Sequence, residues 1–185
     1  LIARSDRATG NPNLAAAGEQ GVCRYALGIK AERNKTQRGL LKLGQVNTFR
    51  NLYGQSVRAY GFRTLADLTT HEHWWDLSGS RTVMAARWRE KAVAERHLFG
   101  SIDAEGQFLS RYEGALRGEL ADLQRIGAIF GTAQAPGYAV DVTQTQNPIE
   151  NLAEGIVTAQ IRMKTSPYAE VLRIRIIRRR LTQEA

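Results

Sequence analysis

The residues of this chain best suited to metal chemistry stand together as His71-Glu72-His73, followed by Trp74-Trp75-Asp76. Two histidines at this separation lack the helical spacing of a zinc protease, and only His97 remains as a further imidazole. The cluster reads as a polar loop closed by two partly buried tryptophans, and neither a metal nor any other cofactor is expected. Serine, histidine and aspartate are all present, but no Gly-x-Ser-x-Gly turn presents a nucleophile. Gly114 and Gly118 lie in a helical stretch with no Gly-Lys-Ser/Thr after them, so no phosphate loop is formed. Asp103, Glu105, Glu113 and Glu119 could serve as paired carboxylates in principle. Their position favours a helix N-terminal cluster stabilised by the helix dipole, together with solvated surface. The sequence predicts no enzyme.

Charge distribution says more than total charge. The chain has 185 residues, 43% hydrophobic and 24% charged, with a formal net charge of +8. Arg24 to Arg63 holds nine Lys/Arg against the single acid Glu32, whereas Gly100 to Thr165 holds five bases and eight acids. Ser166 to Ala185 is basic again, with five Arg against Glu170 and Glu184. Two basic zones flank an acidic middle, a polarity that suits head-to-tail contact between copies or docking on an acidic surface. The zone formed by Arg24, Lys30, Arg33, Lys35, Arg38, Lys42, Arg50, Arg58 and Arg63 also has the sign required for nucleic acid. Few aromatics interleave it, and no ribonucleoprotein, zinc-finger or helix-turn-helix signature is present. A basic nucleic-acid-binding module is therefore kept as the alternative reading.

The elements that would position these groups follow from period and punctuation. Leu1 to Ile29, rich in Gly, Ala and Asn, reads as an extended, weakly self-packed arm, and Leu1-Ile2-Ala3-Arg4 resembles the interior of a strand. With no starting Met, this beginning predicts further chain upstream. A helix is predicted from Thr36 or Gln37 to Leu43, capped by Thr36 and stopped by Gly44. Val46–Phe49 and Val57–Phe62 read as strands, and Arg81–Phe99 as a helix with the apolar stripe Met84, Ala85, Trp88 and Ala92. The longest helix is predicted from Gln107 to Phe130, where Leu109, Tyr112, Leu116, Leu120, Leu123 and Phe130 recur at helical spacing. Gly114, Gly118 and Gly127 within it suggest close approach of another backbone. Strands are expected at Tyr138–Val142, Ile156–Met163 and Val171–Ile177, the last two joined by a turn at Ser166-Pro167.

That final strand stands out. Leu172, Ile174 and Ile176 point to one face and Arg173 and Arg175 to the other, since strand side chains alternate. Arg178, Arg179 and Arg180 follow, a solvated strand end or a docking contact. A strand so placed either closes its own sheet or completes a neighbour's. No apolar run reaches the roughly 20 residues needed to span a bilayer, so a soluble protein is expected. Cys23, the sole cysteine, permits no internal disulfide.

The order of these pieces resembles the C-terminal region of contractile phage tail sheath proteins and the sheaths of related contractile injection systems. The resemblance rests on Ile2-Ala3-Arg4-Ser5-Asp6 with the Gly-rich arm through Ala17-Gly18, on Gly44-Gln45-Val46-Asn47, and on Val57-Arg58-Ala59-Tyr60-Gly61-Phe62-Arg63-Thr64-Leu65. It continues through Trp75 to Arg81, the two long helices, Leu123-Gln124-Arg125-Ile126-Gly127-Ala128-Ile129-Phe130-Gly131, and Ser166-Pro167-Tyr168-Ala169-Glu170. Tyr60 departs from it, since many relatives carry Trp before that glycine, and the outer N-terminal domains of the family are missing.

The resemblance implies an α+β fold, a small mixed β-sheet flanked by two main helices, with extended N- and C-terminal arms that add strands to neighbouring subunits. It divides the chain into an N-terminal arm and linker at 1–30, an α/β domain at 31–168, and an arm strand with basic tail at 169–185. It implies a structural subunit that polymerises helically around a tail tube and contracts to drive the tube through a host envelope. Val171, Leu172, Arg173, Ile174, Arg175, Ile176 and Ile177 would form the self-assembly strand, and Leu1, Ile2, Ala3 and Arg4 the N-terminal arm. Arg117 and Arg125 would face the tube. The implied partners are other copies in a helical lattice of six-membered rings, the tail tube protein, and baseplate and tail terminator proteins, with no membrane insertion. The implied location is a virion tail, assembled in the host cytoplasm.

Overall fold

Two capped helices carry the core of the computed structural model, which describes residues 1–51, 56–67, 69–170 and 172–175. Helix α3 (Leu77–His97) begins at Asp76, whose carboxylate accepts hydrogen bonds from the Ser78 and Gly79 N–H groups at 2.9 and 3.0 Å. Helix α4 (Gln107–Arg125) begins beneath Asp103, which accepts from the Gln107 and Phe108 N–H groups at 2.8 and 2.7 Å. Both caps satisfy donors that a first turn leaves without an intrahelical partner. The predicted apolar row of α4 is buried, with Leu116, Leu120 and Leu123 at most 1% exposed. They pack on Ala86 and Val93 of α3 and on Ala128, Ile129, Val140 and Val142.

Helix α4 stops before the Phe130 expected from the sequence. Gly127 takes φ 79°, and the Gly127 and Ala128 N–H groups turn back to the Gln124 and Leu123 carbonyls, both at 2.9 Å. A left-handed residue there satisfies the last carbonyls and ends the helix. The reading of Gly114 and Gly118 as close-approach points is also corrected, because a Cβ on either would meet nothing within 4 Å. On α3 the stripe containing Met84 and Trp88 faces outward, at 69% and 75% exposure. The buried face is made of Ser78, Gly79, Thr82, Ala86 and Val93.

Among the described residues the strands form two antiparallel pairs where a single small mixed sheet was expected, within the α+β class the sequence implied. β1 (Thr48–Asn51) pairs with β2 (Val57–Tyr60) in the register Thr48 to Tyr60, and Val22 bridges to Arg58 on the other side of β2. β3 (Tyr138–Asp141) pairs with β4 (Gln160–Met163) in the register Tyr138 to Met163. Val157, Ala159, Ile161 and Met163 lean on the core, as their alternation predicts. The ladder nevertheless begins only at Gln160, because the buried Asn147 side chain takes the place of a strand at Thr158. Its Oδ1 accepts from the Thr158 N–H at 2.6 Å and its Nδ2 donates to the Thr158 carbonyl at 2.9 Å. Between these pieces lies α5 (Ile149–Ala153), too short for its period to register in sequence.

The start of the chain requires the largest correction. Residues Ile2–Thr9 form helix α1, not extended backbone. One Ile does not make a strand pattern, whereas Ala3, Arg4, Arg7 and Ala8 favour a helix and Gly10, at φ 64°, closes it. Beyond α1 the chain packs more closely than a loose arm: Asn13 and Ala16 are buried. The Asn13 Nδ2 donates to the Ser166 carbonyl at 2.7 Å, and the Thr82 hydroxyl donates to the Asn13 Oδ1 at 3.1 Å. Helix α2 (Lys35–Leu43) is capped by Asn34, two residues before the Thr36 expected from the sequence, through a reciprocal box with Gln37. Among the described residues no helix is long and apolar enough to cross a membrane.

Candidate self-assembly site

The C-terminal segment is first pinned and then unpaired. The Ser166 N–H donates to the Ala128 carbonyl at 3.1 Å, and the Tyr168 hydroxyl donates to the Phe62 carbonyl at 3.1 Å. Glu170 then meets Arg63, which donates from Nε at 3.1 Å and from Nη2 at 3.0 and 2.8 Å, and it is ion-paired with Lys42 of α2. Arg63 is itself fixed: its guanidinium lies 4.6 Å from the centre of the Trp75 ring, and its N–H donates to the Asn47 Oδ1 at 2.9 Å. A fork donor held against one carboxylate in this way gives geometry as well as energy.

These contacts set the protonation states. Burial disfavours the Glu170 carboxylate, but the hydrogen bonds and charges of Arg63 and Lys42 outweigh it and hold its pKa below the ordinary 4.5. A lowered pKa means that the ion cluster is intact above the ordinary carboxylate range and is lost as pH falls through the lowered value. Burial, with the nearby charges of Asp76 and Glu170, pushes the Tyr168 hydroxyl far above its usual range and keeps it a donor.

Past Glu170 the pattern reverses. Leu172 and Ile174 are 83% and 87% exposed, Arg173 and Arg175 are exposed with them, and no ladder bond forms over 172–175. The expected strand is thus absent from the isolated chain over these four residues, since its apolar face finds no sheet to cover it. Val171, Ile176, Ile177 and the tail from Arg178 lie outside the described residues. A cleft of about 950 Å³ opens beside this exit, lined by Val46, Tyr60, Phe62, Pro167 and Leu172 among others. Among the described residues no strand pairs with the outer edge of β1, where Phe49 is 48% exposed.

Other predicted site residues lie apart from this exit. Leu1, Ile2, Ala3 and Arg4 begin the chain and α1, with Arg4 donating to the Val22 carbonyl. Arg117 donates to Glu113 at 2.8 Å and to the Val140 carbonyl at 3.1 Å, while Arg125 donates to Asp122 at 3.1 Å, so both are engaged within the chain. The basic zone is partly neutralised: Arg58 pairs with Glu19, and Lys42 and Arg63 with Glu170. His71 precedes and His73 lies within a 3₁₀ turn at Glu72–Trp74, and among the described residues no group of three or more His, Cys, Asp or Glu side chains could hold a metal ion. The Arg63–Glu170–Lys42 cluster escaped sequence reasoning, since its members carry no shared motif.

No known family model matches the sequence, and no curated protein does. Solved structures do match its fold. A chain of the contracted sheath complex of an extracellular contractile injection system (PVC) matches with TM-score 0.82 and 18% identity, over 95% of this chain and 48% of that one. A chain of the six-fold symmetrised anti-feeding prophage (AFP) baseplate matches with TM-score 0.80 and 19% identity, over 95% and 47%. One from the contracted AFP helical sheath matches with TM-score 0.77 and 19% identity, over 94% and 47%. The present chain spans about half the length of the chains it matches. Its fold is that of a contractile tail sheath.

Proposed function

We propose that this chain is the assembly-bearing part of a sheath subunit, which polymerises helically around a tail tube and contracts to drive it through an envelope. The observation that carries the reading is the pairing of a sheath fold with a C-terminal segment whose Leu172 and Ile174 find no cover among the described residues. Backbone hydrogen bonds supply affinity in strand addition, and alternate side chains fix the register. A contact that gives a strand at one end and accepts one elsewhere is heterologous, so it propagates instead of closing into a dimer. Contraction would then be a rigid-body rearrangement of subunits that stay tethered, driven by a lower-energy packing and needing no nucleotide. No enzymatic step belongs to this reading.

Truncation after Glu170 tests it. The shortened chain is expected to keep its folded core by circular dichroism and to form no tubular polymers by electron microscopy. Polymers indistinguishable from those of the whole chain would reject strand donation, and salt-sensitive retention on DNA would favour the nucleic-acid module.

The tube is the proposed partner of α4, through Arg117 and Arg125. Because Arg117 also holds the Val140 carbonyl, Arg117→Gln with Arg125→Glu separates charge from folding better than two reversals. Loading of sheath onto purified tubes is expected to fall several-fold with the melting temperature little changed. Undiminished loading would remove both residues from the tube contact.

A further inference from the structure

The change from pinned to unpaired backbone falls between Glu170 and Leu172. Upstream, Ser166 and Tyr168 are bonded to the body, and Asn13 Nδ2 donates to the Ser166 carbonyl at 2.7 Å. Downstream, Leu172 to Arg175 are exposed. At the boundary one carboxylate, with 22% of its side chain exposed, gathers Arg63 from the connection between β2 and α3 and Lys42 from the last turn of α2. Arg63 Nη1 also reaches toward the Lys42 carbonyl at 3.5 Å, so the two cations are held close together. We propose that Glu170 is the pivot of the C-terminal strand, a positioning residue that fixes where and in which direction the segment leaves the body to reach a neighbouring copy.

The physics of the cluster makes Glu170 its keystone. Two cations share a single carboxylate in a half-buried site, and the nearby Asp76 charge balances them only in part. Removing Glu170 breaks both ion pairs at once and leaves Arg63 and Lys42 with only the charge of Asp76 to offset them, which costs more than the loss of one exposed pair. Arg63 keeps its stacking on Trp75 and its bond to Asn47, both independent of Glu170. Loss of the carboxylate therefore frees the exit point without unfolding the body. A free exit point spreads the terminal segment over many directions, and the effective concentration of its apolar face at the neighbour's edge falls.

The pivot role rests on the sheath reading for its consequence in assembly, but the pinning itself is measurable in the isolated chain. Glu170→Gln in the full chain is compared with the wild type through a nitroxide spin label on the exposed position 169, in an Ala169→Cys, Cys23→Ser background, and by electron microscopy of polymers. The rotational correlation time of the label is expected to fall at least threefold while amide hydrogen exchange over Leu116 to Leu123 is unchanged, and polymer yield is expected to drop at least tenfold. Unchanged label mobility overturns the proposal, as does normal polymer yield from a variant whose exit is loosened. Were the wild type itself to give no polymer, the sheath reading would fall, and label mobility would still decide the pivot. Loss of amide protection in α4 would overturn it too, since Glu170 would then be holding the whole fold.

Discussion

Gly137→Ala is expected to lower the melting temperature by about 6–12 °C, which corresponds to about 3 kcal/mol for a chain of this size. A Cβ at Gly137 would lie 1.9 Å from the Phe130 carbonyl oxygen and 2.7 Å from its carbon, both backbone atoms that no rotamer change can move. The opposite side is equally closed, because a Cβ on Gly131 would fall 2.3 Å from the Gly137 nitrogen. Here the two ends of the loop between α4 and β3 cross. The crossing is also wired into the sheet: Lys164 donates to the Gly137 carbonyl at 2.7 Å, and Phe130 donates to the Lys164 carbonyl at 2.8 Å. Pushing the backbones apart would break these bonds while opening the core at Ile129. Gly118→Ala is the control, since its Cβ meets nothing within 4 Å and the helix should gain about 0.5–1 kcal/mol. Thermal melts of both variants decide the matter, and a Gly137→Ala chain melting within about 2 °C of the wild type would mean that the crossing is looser than these distances.

Glu90→Gln is expected to raise stability above neutral pH and to leave it unchanged near pH 5. Glu90 lies on α3 facing α4, with one buried carboxylate oxygen that finds no hydrogen-bond partner. Burial, reinforced by the charge of Glu119, pushes its pKa from 4.5 up to about 7. The groups around it do not relieve the strain. Arg89 and Arg96 lie 3.8 and 3.6 Å from Glu119, and Tyr112 and His97 face the same seam with ring centres 5.3 Å apart. The folded state therefore binds a proton that the unfolded state has released between pH 4.5 and about 7, and stability falls as pH rises through that window. Because Glu90 is only half-buried, solvent screening reduces the effect to about 1–2 kcal/mol, or about 2–8 °C in melting temperature. Melts of wild type and variant at pH 5 and pH 8 should converge at the lower value and separate at the higher. Parallel curves at both would show that Glu90 is ionised at ordinary pH.

What the sequence revealed depended on how far each pattern extends along the chain. Helix α4 is legible because its leucines repeat over 19 residues, and β4 because its alternation survives beyond its own ladder. Helix α3 is legible as a helix but misleading as to its face. Size draws the eye to Met84 and Trp88, whereas the side toward the core needs small residues: a Cβ on Gly79 would already stand 2.9 Å from the Thr165 hydroxyl. Helix α1 was hidden by a single Ile read as a strand, when its helix formers and Gly10 were the stronger signal. The candidate site divides in the same way. The alternation of Leu172 and Ile174 is local and could be read directly, but Arg63 and Glu170 meet across 107 residues and share no pattern at all. Contacts of that kind arise from the packing of whole elements, so only the folded chain displays them.

The β3–β4 ladder ends at Asp141 and Gln160, leaving beside Thr158 the place a partner strand would take. Asn147 occupies it with one amide that imitates a strand, answering the N–H and the carbonyl of Thr158 at once. The same Nδ2 lies 3.3 Å from the Val142 and Thr143 carbonyls, so the side chain is locked from both sides. A single buried amide thus meets four backbone groups and ends the sheet without leaving its last N–H and carbonyl unanswered.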